Sequence, residues 1–100
     1  MEIKGKATEE QIQEWKRNHG EVYEVVVGDS ACYLHNPDRA TLKAVAAVGM
    51  SDPIRSNEVL LENCWLGGDE SVKTDASKFM GVSPVLAELS QVKEATLKKL

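Results

Sequence analysis

Four side chains of this chain belong to types that hold metals or act as nucleophiles: His19, His35, Cys32 and Cys64. A structural zinc site is built from thiolates and imidazoles, but no Cys-x-x-Cys or His-x-x-x-His pairing occurs here. Only a fold that gathers all four residues would make such a site. A nucleophilic pair of Cys64 with His35 needs an exposed thiol beside a positive charge. The neighbours of Cys64 are Leu60, Leu61 and Trp65, which predict burial instead. Among the carboxylates, Glu58 and Glu62 lie four apart, the ordinary spacing of a solvated helix surface. Asp69-Glu70 suits capping of the next segment or weak cation binding, and lacks the Asp/Asn/Gly ladder of a calcium loop. Gly67-Gly68 has no Lys-Ser or Lys-Thr behind it, so no phosphate cradle is written there. These motifs lead to the expectation of a protein without catalytic residues, cofactor or metal.

One hundred residues suit a single domain, too short for a cofactor domain plus a substrate domain. The 42% hydrophobic and 28% charged residues describe a globular chain, with Val, Leu and Ala carrying most of its core. A net charge of -4 with dispersed basic residues argues against nucleic acid, which demands clustered Lys and Arg. The close basic pairs Lys16-Arg17 and Lys98-Lys99 are read as complements to helix C-termini. No apolar run reaches the roughly 20 residues of a membrane span, and the start lacks the apolar core of a signal peptide. A cytoplasmic protein with two reduced, partly buried thiols is the expectation.

The elements that must position these residues can be read from spacing. Thr8 with Gln11 makes a capping box for a first helix over residues 8–19, stopped at His19-Gly20 and anchored by Trp15. Val22 to Val27, the turn Gly28-Asp29-Ser30 and Ala31 to His35 predict a β-hairpin whose open edge must pack or pair. Pro37 after Asn36 predicts the start of a second helix, rich in small residues, running to Gly49-Met50. Asp52-Pro53 opens a third, with Ile54, Leu60, Leu61, Cys64 and Trp65 as the richest apolar face, ended by Gly67-Gly68. A short helix after Thr74 or Asp75 follows. Ser83 and Pro84 predict the start of an amphipathic last helix with Val85, Leu86, Leu89, Val92, Leu97 and Leu100 at three-and-four spacing.

The order of these signals carries a resemblance. An extended pair leading through Leu34-His35-Asn36-Pro37-Asp38-Arg39-Ala40-Thr41-Leu42 into a helix, then Asp52-Pro53-Ile54 and Asn57 to Cys64, resembles the small tail assembly chaperones of long-tailed bacteriophages and prophages. The wording from Trp15 to Tyr23 and from Asn63 to Glu70 is similar to a compact group of uncharacterised proteins from gut Bacteroidetes and their phages. The resemblance spans most of residues 12–100, and its motifs are structural. It implies a non-catalytic protein that holds the tape-measure protein or tail-tube subunits during assembly. The alternative is a structural or adaptor component of the virion that stays in the particle as a homo-oligomer.

The expected fold is α+β: a first helix and a β-hairpin packed on a bundle of three or four helices, with Ile54, Leu61, Trp65, Leu86, Leu89 and Val92 in the core. Trp65, Leu86, Leu89, Val92 and Leu97 are the expected partner-binding residues, used through helix-in-groove contacts or strand addition. Truncation of a core Trp65 to Ala would cost about 3–5 kcal/mol.

Overall fold

A computed structural model describes residues 2–89 and 95–100 of the chain. Its elements in order are α1 (Glu9–His19), β1 (Val22–Val27), β2 (Ser30–His35), α2 (Arg39–Val48), α3 (Pro53–Cys64), β3 (Trp65–Gly68), α4 (Ser71–Thr74) and α5 (Ala76–Leu89). The fold is α+β, with an antiparallel sheet in the order β1-β2-β3. Among the described residues no helix is long and apolar enough to cross a membrane.

Local chemistry sets the first elements. Thr8 closes the capping box of α1: its hydroxyl accepts from the Gln11 amide at 3.2 Å, and its own amide donates to the Gln11 side chain at 3.0 Å. The hairpin then turns through Gly28-Asp29 alone, since Val27 pairs with Ser30. Gly28 takes φ 59°, the positive value a two-residue hairpin loop needs at its first central position.

Alternation along the strands divides the sheet into two faces. Val25, Cys32 and Leu34 face α3, α4 and α5, and form the core with Leu60, Leu61, Cys64, Val72, Phe79, Val82 and Leu86. Glu24, Tyr33 and His35 lie on the opposite face, where α1 packs. Trp15 tilts onto Tyr33 with ring centroids 5.4 Å apart. The helices therefore sandwich the sheet, α1 on one side and the core helices on the other.

Several boundaries depart from the spacing argument. Asp38, not Pro37, opens α2, its carboxylate accepting from the Thr41 amide and hydroxyl at 2.8 Å each. Asp52 and Pro53 open α3 as expected. Ile54 shares a helix face with Leu61 but is 53% exposed; the buried residues of α3, Val59, Leu60, Leu61 and Cys64, all lie in its second half. Gly67-Gly68 does not end a helix in coil; it pairs with Tyr33 and Cys32 as the third strand. Trp65 accordingly starts a strand, half-buried against the core, with the Lys73 ammonium 4.2 Å from its ring centroid. Trp65→Ala is thus expected to cost about 2 kcal/mol in denaturant melts rather than the loss of a fully buried indole.

The last helix differs most. Ser83 and Pro84 lie inside α5, which begins after Asp75, whose carboxylate accepts from the Lys78 amide at 3.0 Å. Proline removes one helical donor, and the acceptor left over, the Met80 carbonyl, belongs to a residue 56% exposed, where water can satisfy it. Phe79, Val82 and Leu86 stay on one buried face straight across the proline. Val92 lies outside the described residues. Leu97 stands outside any helix and is fully exposed, as is Leu100, so Lys98-Lys99 complement no described helix end.

Candidate protein-binding surface

The chemistry-bearing residues fall into three separate places. Cys32 and Cys64 are free and fully buried in the core. Burial pushes each thiol up to about 11, a small opposing effect of Lys73 acting on Cys32 and a further upward push from Asp38 on Cys64. At neutral pH both are thiols, poor nucleophiles. Iodoacetamide is expected to label neither in the native protein and both after unfolding; rapid native labelling of Cys64 would contradict this packing. His19 and His35 do meet, at the end of α1 and the end of β2, with rings stacked at 4.7 Å and 5° between planes. They sit on the α1 face, away from both thiols, and no group of three or more potential metal ligands occurs among the described residues.

The second place is a polar knot that spacing does not reveal. Ser30 is fully buried at the hairpin turn, and its hydroxyl donates to Asp69 at 2.6 Å. Ser71 donates to the same carboxylate through its hydroxyl at 2.9 Å and its amide at 3.1 Å. The Lys78 ammonium donates to Ser30 at 2.8 Å, to Ser71 at 2.9 Å and pairs with Asp29 at 3.1 Å. Five residues from three separate stretches of the sequence thus tie the hairpin turn, the end of β3, α4 and α5 together. With Ser30 inaccessible to any substrate, the knot fastens the fold.

Its titration is measurable. The Ser30 hydroxyl, then the Ser71 amide and hydroxyl, hold the Asp69 carboxyl down to about 2 from an ordinary 3.8. A depressed carboxyl favours the folded state above its unfolded pKa and loses that contribution as pH falls through the folded one. Stability is therefore expected to drop between pH 3.8 and about 2, and Asp69→Asn should flatten part of that drop in urea midpoints. An unchanged acid limb in the variant would contradict the role given to Asp69.

The third place is a groove of about 530 Å³ between β1 and α5, lined by Tyr23, Glu24, Val25, Val85, Glu88 and Leu89. Its position follows from two elements. β1 is an edge strand, with β2 on one side only. α5 presses against β1 at Gly81, where an added Cβ would lie 2.9 Å from the Val27 side chain, and the groove lies along the helix beyond that contact. Val25, Val85 and Leu89 give it an apolar floor and Glu88 an acidic rim, while the Glu24 carboxylate turns to the α1 face. Glu24 accepts from Tyr33 at 2.6 Å and from Lys6 at 3.0 Å, and these contacts, the Tyr33 one foremost, lower its pKa. Tyr23 is 38% exposed at the mouth, its hydroxyl on Glu21 at 2.6 Å.

Of the residues expected to bind a partner, Leu89 lines this groove, while Leu86 is fully buried in the core. Trp65 is half-buried near Lys73, on β3 at the other edge of the sheet, and Leu97 is exposed. The described residues of the set do not form one stripe, and Val92 lies outside the described residues. Tyr23, Val25 and Glu88 also line the groove and were not among the expected residues; the signal that could have pointed to them was the edge position of β1 combined with the α5 register.

No family model, no curated protein and no solved structure matches the chain.

Proposed function

We propose that this chain is a non-catalytic protein-binding module of the tail assembly chaperone kind, holding a helix-rich tape-measure protein or a tail-tube subunit until it is assembled. The observation that carries the reading is the apolar, acid-rimmed groove beside an unpaired edge strand. Such a groove accepts an amphipathic helix, and such an edge accepts an added strand. The phage context comes from the sequence resemblance alone. A second reading, a homo-oligomeric virion component, is favoured by the exposed apolar residues Leu42, Met50 and Ile54 on α2, α3 and their connection.

Tagged wild type and Glu88→Lys, a change on an exposed helix surface, would be used for capture from a host after prophage induction. Recovery of a tape-measure or tail-tube protein by the wild type, reduced in the variant, is the expected result. Recovery of the bait alone, or of mature particles containing it, would favour the structural oligomer.

A further inference from the structure

Residues 95–100, Ala-Thr-Leu-Lys-Lys-Leu, form the most exposed apolar and basic segment among the described residues. Leu97 and Leu100 are 100% and 106% exposed, and neither Lys98 nor Lys99 has an ion-pair partner among the described residues. A helical turn formed on docking would put Leu97 and Leu100 on one face, with the lysines flanking it. The β1–α5 groove offers the complement: an apolar floor of Val25, Val85 and Leu89, and an acidic rim at Glu88. Glu88 makes no ion pair among the described residues. One surface lacks an occupant of the chemistry that the other segment carries.

We propose that residues 97–100 of a second copy of this chain dock in the β1–α5 groove, the two leucines on its floor and Lys98 and Lys99 against Glu88. This inference rests on the reading of the groove as a protein-binding surface. Reciprocal docking of two copies is an isologous, closed arrangement, and it keeps the groove covered until a partner helix of the same apolar and basic character displaces it.

The test is sedimentation of the full chain over a concentration series, with Glu88→Lys and with Lys98→Glu/Lys99→Glu. Wild type is expected to dimerise, and each variant alone to associate on the order of tenfold more weakly, as like charges come to face each other. A one-to-one mixture of the two variants is expected to regain wild-type association, because both docking contacts again join opposite charges. A wild type that stays monomeric, a dimer indifferent to both variants, or a mixture that fails to recover overturns the proposal. A monomeric wild type that still captures a tail protein through Glu88 sinks self-docking alone; a charge-dependent dimer that captures none sinks the chaperone reading alone.

Discussion

Gly68→Ala is expected to cost at least about 3 kcal/mol, combining backbone strain with overpacking, and to leave little folded protein at moderate urea. Gly68 adopts φ 135°, a conformation that L side chains rarely reach. A Cβ there would also lie 2.5 Å from the Ala31 carbonyl oxygen and 2.5 Å from the Cys32 Cα. Neither neighbour can yield, because both are backbone of the central strand, and the Ala31 carbonyl already accepts from the Asp69 amide at 2.9 Å. The damage would spread into the knot around Asp69. Urea unfolding followed by circular dichroism measures it; a loss below about 1 kcal/mol would mean that β3 is not held against β2 in this way.

Leu86→Ala is expected to cost about 3 kcal/mol by lost burial and the cavity left behind, whereas Leu97→Ala should change stability by less than about 0.5 kcal/mol. The pair is informative because three-and-four spacing puts both leucines on the same stripe. In the fold, Leu86 is fully buried and Leu97 fully exposed. Equal losses in the two variants, read from the same denaturant midpoints, would contradict the placement of one in the core and the other in solvent.

Legibility followed the range of the interactions. The Thr8–Gln11 capping box, the Asp52-Pro53 helix start and the hairpin around Gly28 are written in neighbouring residues, and each formed where spacing put it. Burial of Cys64 was legible for the same reason, from Leu60 and Leu61 beside it. Gly67-Gly68 misleads because two glycines read locally as a breaker, while Gly68 lets β3 lie close to the β2 backbone and Gly67 leaves room for the Trp15 ring, contacts set by residues more than thirty positions away. Pro84 misleads because it fits a first helical position, yet the buried series Phe79, Val82, Leu86 continues across it and outweighs one lost hydrogen bond.

Beyond the capping role of Asp69 toward Ser71, the knot had no local signal. Ser30, Ser71 and Lys78 are common residue types, brought within hydrogen-bonding distance only when α5 folds back over the hairpin turn. The groove was half legible: Leu89 was on the amphipathic stripe, and the open hairpin edge was foreseeable, but which strand became the edge depended on the unrecognised β3 pairing with β2.

Amide hydrogen exchange of the wild-type chain, alone and with the tail protein recovered by capture, tests most directly whether the β1–α5 groove is the binding surface. Added protection across Val22–Val27 and over residues 85–89, lost in Glu88→Lys, is the predicted result. Protection confined to the exposed α2–α3 end, or unchanged exchange along β1 and α5, would contradict it.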